Sequence, residues 1–136
     1  MSVAPGSRSA GRGGLPVYDR ELALERAGGD AVRAARYLKM LLGTFGEARE
    51  RLATEVRQGK WRDVQRRLHT LAGASLYCAA TALHGATRRA EVMLQEGRLA
   101  DAAPLVELVL EEMARLEVAA GDRAGAEAPP DQGVDG

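Results

Sequence analysis

Imidazole and thiol side chains, which serve as nucleophiles and zinc ligands, are scarce in this sequence. There are two histidines, His69 and His84, and a single cysteine, Cys78. A zinc cage of thiolates and imidazoles would need carboxylates at undefined spacing to complete it, so we expect no metal site. One cysteine cannot form an internal disulfide, and no adjacent cluster of positive charge would activate its thiol. We therefore predict that Cys78 belongs to the core.

His69 lies in a segment whose apolar residues recur at spacings of three and four, which predicts a helix from about Lys60 to Cys78. The buried side of this helix would be formed by Trp61, Val64, Leu68, Leu71, Ser75 and Cys78. At about 100° per residue, His69 lies roughly 130° from the centre of that stripe and should face solvent.

Gly73 follows His69 by one turn and removes a side chain that would crowd the imidazole. A glycine within a helix is unfavourable by about 1 kcal/mol relative to alanine, so it needs a reason. Approach of another molecule to His69 is one reason, and close packing against a neighbouring helix is another. An imidazole is largely unprotonated at neutral pH and then nucleophilic, but an exposed histidine can also be an ordinary surface residue. His84 has no comparable small-residue turn after it, and we predict that it lies on the surface.

The rest of the sequence predicts an all-α protein. Ala, Leu, Arg and Glu favour helices, and aromatic residues make up only 4% of the chain. The pattern predicts a short helix from Asp19 to Gly28, a long helix from Asp30 to Gln58 with a bend near Gly43 and Gly46, the helix of His69, a helix from Ala80 to Glu96, and a last helix beginning near Asp101 with Pro104 in its first turn. Short connections favour an antiparallel up-down-up-down four-helix bundle with a short additional N-terminal helix.

Composition and charge limit the classes of protein to which this chain can belong. Residues 1–14 and 120–136 lack a hydrophobic period, so we predict a disordered N-terminal segment and a disordered tail around a bundle at residues 15–119. Nineteen basic and nineteen acidic residues give no net charge, which argues against nucleic-acid binding. No apolar segment suits secretion or membrane spanning, so we expect a cytoplasmic protein. Met1 and the patternless ends favour a free-standing chain, and we expect a monomer.

The run from Leu68 to Cys78, Leu-His-Thr-Leu-Ala-Gly-Ala-Ser-Leu-Tyr-Cys, resembles the phosphorylation-site helix of the histidine-containing phosphotransfer (HPt) domain family. The family pattern is His, two residues, usually Lys or a second His, then Gly and a small residue. Further similarity is found in Leu15–Asp19, Ala27–Asp30, Gly59–Trp61, Leu83, Ala90 and Glu91. The resemblance covers about Leu15 to Gly97 and is greatest to the modules of proteobacterial hybrid sensor kinases.

The resemblance implies a phosphocarrier without kinase activity of its own. His69 would accept a phosphoryl group from the aspartyl phosphate of a receiver domain and pass it to a response regulator. The implied partners are response-regulator receiver domains and a hybrid sensor kinase, with Mg²⁺ on the receiver and no cofactor on this chain. The residues implied for close approach and docking are Ala72, Gly73 and Leu76, and those for phosphate or rim contacts are Arg62, Arg66 and Arg67.

One departure from the family pattern is Ala72, which stands where Lys or His is usual. We hypothesise that Arg66 or Arg67 replaces the missing cation, and Arg66→Ala is then expected to slow phosphotransfer. Two alternatives remain open at this point: a module that docks receivers without accepting phosphate, and a scaffolding bundle that binds a partner through an apolar groove. In both, His69 is dispensable.

Overall fold

The computed structural model describes residues 14–127, and within that range it confirms the all-α prediction. The six helices are α1 (Arg20–Arg26), α2 (Ala31–Gly43), α3 (Phe45–Arg57), α4 (Trp61–Tyr77), α5 (Thr81–Gln95) and α6 (Leu99–Glu127). The disorder predicted for residues 1–13 and 128–136 lies outside the described residues. Helix α6 continues past Ala119 to Glu127, where the sequence pattern predicts the start of the tail. It begins at Leu99, so Pro104 lies in its second turn rather than its first.

The long helix predicted from Asp30 to Gln58 is divided into α2 and α3 at Thr44. The Thr44 hydroxyl donates to the carbonyl of Leu41 at 2.7 Å, and the Thr44 backbone N–H donates to the same carbonyl at 3.0 Å. These i to i−3 bonds compete with the regular helical ladder, and Gly43 and Gly46 on either side reduce the helical propensity further. The break brings Phe45, which is fully buried, into the core.

The core lies between the longer helices. Helix α4 packs against α3 and α5, α6 packs against α5, and α3 also contacts α6. The predicted stripe of α4 is confirmed, because it is buried from Val64 to Cys78 and Trp61 is partly buried against the core. The buried face of α6 includes Val106, Val109, Met113 and Leu116. This packing is that of a helical bundle, in which the up-down-up-down order stays a prediction.

The N-terminal segment holds the turn between α4 and α5. The Asp19 backbone N–H donates to the Ala79 carbonyl at 2.9 Å, and the Ala82 N–H donates to the Pro16 carbonyl at 2.9 Å. Val17 lies between these bonds and is buried. Ala79 follows the end of α4 and has a φ of 62°. A non-glycine residue adopts this left-handed conformation after a helix only when its surroundings hold it there. This turn fixes how α5 returns alongside α4.

An ion pair joins α3 to α4. Arg67 donates to both carboxylate oxygens of Glu55, with Nε 2.9 Å from Oε1 and Nη2 2.7 Å from Oε2. Glu55 is buried, and the hydrogen bonds from Arg67 hold the pKa of its carboxyl below the usual value although burial acts in the opposite direction. A two-pronged contact of this kind fixes both helices in register.

Glu55→Gln is expected to weaken the acid dependence of stability. Because the folded-state pKa of Glu55 is lowered, the contribution of the pair is complete above the pKa of an unfolded glutamate, about 4.3, and is lost as pH falls through the folded value. The difference in free energy of unfolding between the wild type and Glu55→Gln should therefore shrink between about pH 5 and pH 3. Urea titrations followed by circular dichroism measure it, with Glu50→Gln as the exposed control on α3. A difference that does not change with pH would contradict the interpretation.

Candidate functional site

Helix α4 presents His69 to solvent, as its position relative to the buried stripe predicts. The imidazole side chain is 76% exposed, and its Nδ1 lies 2.7 Å from Oε2 of Glu91 on α5. A carboxylate can only accept a hydrogen bond, so this contact assigns the proton to Nδ1. In neutral His69 the lone pair is then on Nε2, at the edge of the ring away from Glu91. The contact also fixes the orientation of the ring.

Glu91 is a buried charge with a partner on each oxygen. Its side chain is only 3% exposed; Oε2 accepts from His69 and Oε1 accepts from Nη1 of Arg88 at 2.7 Å. A carboxylate removed from water is unfavourable unless such bonds replace its hydration. The side chain of Arg88 is 46% exposed, so the hydrogen-bonded row of His69, Glu91 and Arg88 has its two ends at the surface and its central residue, Glu91, buried.

Gly73 leaves free space beside His69. It is exposed, and a Cβ added at this position would meet no atom of another described helix within 4 Å. The alternative that Gly73 serves close packing between helices is therefore wrong. Leu76 lies one turn further on and is 46% exposed. Together His69, Gly73 and Leu76 form an accessible face with one apolar side chain.

Two residues differ from their sequence-based predictions. Ala72 was expected on the docking flank, but it is only 3% exposed. His84 was expected on the surface, but it is half-buried and its Nδ1 donates to the Ala72 carbonyl at 2.9 Å. The reason is that α4 packs against α3 on one side and α5 on the other, so its buried arc is wider than the stripe of large apolar residues. Ala72 belongs to that arc.

The three arginines predicted near the phosphate lie in different surroundings. Arg67 is engaged with Glu55, while the side chain of Arg66 is 73% exposed and lies 3.6 Å from Asp63. Both line an open cleft of about 470 Å³ between α3 and α4. Arg62 is exposed near the start of α4. His69 bonds instead toward α5, so the arginine that the structure joins to its ring, through Glu91, is Arg88.

The sequence model of the family described as Hpt domain matches residues 36–119. The chain belongs to the Hpt domain family. Its members act in histidine phosphotransfer in two-component phosphorelays. Among proteins with curated functional descriptions, none matches the chain significantly.

A solved structure agrees with the fold of this Hpt domain. It is the crystal structure of the HPT domain from a sensor hybrid histidine kinase of Shewanella, which is similar with a TM-score of 0.73 and 23% sequence identity. The alignment covers 83% of this chain and 97% of that one. At this level of identity the likeness confirms the helical bundle of the HPt fold.

Sequence reasoning missed the roles of Glu91 and Arg88 in the Hpt domain. Glu91 was named only as one position of similarity to the family, and Arg88 was given no role. The sequence did contain an indication that Glu91 is buried, because it lies four residues after Thr87 and three before Leu94, on the same face of α5. A charged residue at a buried position requires a polar or charged partner. Nothing in the sequence identifies that partner as His69.

The remaining candidates are structural. Cys78 is buried, as predicted, and its Sγ lies 3.4 Å from the Tyr37 carbonyl. Burial raises the pKa of the Cys78 thiol, which disfavours the reactive thiolate. Within residues 14–127, no group of three or more His, Cys, Asp and Glu side chains is arranged to hold a metal ion. In the same range no helix is long and apolar enough to cross a membrane.

Proposed function

We propose that this Hpt domain is a phosphocarrier in which His69 accepts a phosphoryl group from the aspartyl phosphate of a receiver domain and passes it to a response regulator. The proposal rests on the orientation and the exposure of the His69 imidazole. Nδ1 is held by the buried carboxylate of Glu91, while the ring is 76% exposed with Nε2 at its free edge. A nucleophile for a large partner needs such an oriented and accessible lone pair.

The transfer is a displacement at phosphorus. The Nε2 lone pair of His69 forms the new N–P bond, the bond from phosphorus to the aspartyl oxygen breaks, and its electron pair stays on the aspartate carboxylate. The imidazole keeps its Nδ1 proton and gains positive charge as the bond forms. The carboxylate of Glu91, 2.7 Å from Nδ1, stabilises that charge. Transfer to the response regulator is the reverse step with a different aspartate.

In this proposal the chain is a carrier without kinase activity, and the receiver supplies the aspartate and the Mg²⁺ that neutralises the moving group. The chain supplies the nucleophile and the docking face. The space beside Gly73 and the exposed side chain of Leu76 suit a small, transient interface. Arg62 and Arg66, which are exposed on α4, are proposed as its polar rim. The carrier is expected to act as a monomer.

The proposal is tested by incubating the purified chain with phosphorylated receiver domains. We expect the chain to acquire phosphate that is labile in acid and stable in base, as a phosphoramidate is. Receiver binding measured in parallel by calorimetry separates the alternatives. Binding without label would replace the proposal with a docking module that carries no phosphate. Neither binding nor label with any receiver of a panel would favour a scaffolding bundle.

Gly73→Ala is expected to stabilise the protein and slow the transfer. The added methyl meets no atom of another part of the chain within 4 Å, so α4 gains helical propensity, up to about 1 kcal/mol. The same methyl enters the space through which the receiver approaches, and we expect transfer to slow at least about threefold. Thermal unfolding and the rate of transfer from a phosphorylated receiver measure the two effects.

Gly46→Ala is the matched control for Gly73→Ala. Gly46 is also a helical glycine with open space around its Cβ position, but it lies on α3. The control should leave the transfer rate unchanged. If Gly73→Ala transfers phosphate as fast as the wild type, the receiver does not approach over Gly73.

A further inference from the structure

A phosphoryl group on His69 would lie near the buried carboxylate of Glu91. The group carries about −1.5 to −2 charges at neutral pH, and only the imidazole ring separates Nε2 from the Nδ1 that Glu91 holds at 2.7 Å. Two anions on opposite edges of one small ring repel each other. The protonated ring offsets only part of this negative charge, so a further cation close to the ring would stabilise the phosphoryl group on His69.

The structure narrows the choice of that cation. Along α4, the residue one turn after His69 is Ala72, which carries no charge. The neighbouring arginines of α4 line the cleft on the α3 side, where Arg67 is engaged with Glu55 and Arg66 lies beside Asp63. Neither is directed to the α5 side, where His69 meets Glu91.

Arg88 on α5 lies on that side. Its Nη1 donates to Oε1 of Glu91 at 2.7 Å, while Oε2 of the same carboxylate is bonded to His69. A guanidinium has five N–H donors in a planar fork, and the hydrogen bond from Arg88 to Glu91 uses one of its nitrogens. Its side chain is 46% exposed, so it can shift toward a new anion without opening the core.

We infer that Arg88 binds the phosphoryl group on His69 and so increases the share of phosphate that the carrier holds at equilibrium with a receiver. The inference rests on the proposed function. In the resting carrier Arg88 neutralises Glu91. In the phosphorylated carrier its remaining donors form charge-assisted hydrogen bonds to the phosphoryl oxygens, and the guanidinium then separates the two anions. Arg88 takes no part in forming or breaking the N–P bond.

The test is the equilibrium constant for phosphate exchange between one receiver domain and the chain. Removal of a cation destabilises the phosphorylated carrier more than the resting carrier. Arg88→Ala should therefore shift the equilibrium toward the phosphorylated receiver by about three- to tenfold. Arg88→Lys keeps the charge and should restore most of the shift. Arg115→Ala is the matched control, because Arg115 also pairs with a buried glutamate three residues away, Glu112 at 2.7 Å, but lies on α6, and it should shift the equilibrium by less than about twofold.

Two measurements distinguish phosphate binding from a merely structural role of Arg88. The affinity of the unphosphorylated receiver, and the Nδ1–H tautomer of His69 read from ¹⁵N chemical shifts, should both be unchanged in Arg88→Ala. If Arg88→Ala has the wild-type equilibrium, the inference is overturned and the proposed function is not. The same holds if the shift is accompanied by weaker receiver binding or by a changed tautomer of His69. Absence of label on the wild-type chain would overturn the proposed function and the inference with it.

Discussion

His69→Gln is expected to abolish all the acid-labile phosphate that the chain takes from a phosphorylated receiver. A glutamine amide has no nucleophilic lone pair comparable to that of Nε2, so no N–P bond forms. The variant should still fold, because His69 is exposed and the glutamine amide N–H can donate to Glu91 in place of Nδ1. We expect a change in unfolding free energy within about 0.5 kcal/mol. Radiolabelled or Phos-tag gel assays measure the label, and thermal unfolding measures the stability.

His84→Gln is the matched control, and its expected profile is the opposite. His84 is half-buried and bonds to the Ala72 carbonyl at 2.9 Å, so its loss should lower stability by about 1 kcal/mol while the label persists. Label that survives His69→Gln and disappears with His84→Gln would exclude His69 as the phosphorylated residue.

Glu91→Ala is expected to slow phosphoryl transfer to His69 by about ten- to a hundredfold, by analogy with the loss of a group that orients a reactive histidine. Without the carboxylate, the imidazole can rotate and either nitrogen can carry the proton, and the charge that develops on the ring has no counter-ion. Glu91→Gln keeps the shape and an acceptor oxygen but loses the charge, so an intermediate rate is expected. Single-turnover transfer from a saturating phosphorylated receiver measures these rates.

Glu112→Gln is the control for the burial of Glu91. Glu112 is also a buried carboxylate paired with an arginine three residues away, at 2.7 Å from Arg115, but it lies on α6. This variant should lower stability without changing the transfer rate. A wild-type rate in Glu91→Ala would show that the contact with His69 has no part in the transfer.

The sequence predicts those features that depend on one helix alone. The buried stripe of α4 and the exposure of His69 follow from the helical repeat, and both are found in the structure. The break at Thr44 was indicated only as a bend, because two glycines lower helical propensity by amounts that tertiary contacts can override. The match of the whole segment to the Hpt domain family added what periodicity could not, namely a reason for His69 to be functional.

Features that depend on two helices could not be predicted from the pattern of one. Ala72 is buried because α5 covers that flank of α4, and Glu91 meets His69 because of the register between the same two helices. That register is set by the turn at Ala79 and by the N-terminal segment bonded to it. No spacing along the sequence encodes this register, so the sequence alone indicates Arg66 or Arg67 as the replacing cation and gives no role to Arg88.

The central claim is that Nδ1 of His69 carries the proton and that Nε2 accepts the phosphoryl group. Long-range ¹H–¹⁵N NMR of histidine-labelled protein tests it most directly. After phosphorylation by a receiver, we expect coupling to phosphorus at Nε2 of His69, a proton retained on its Nδ1, and unchanged resonances for His84. Coupling to phosphorus at Nδ1 of His69, or at either nitrogen of His84, would contradict the account.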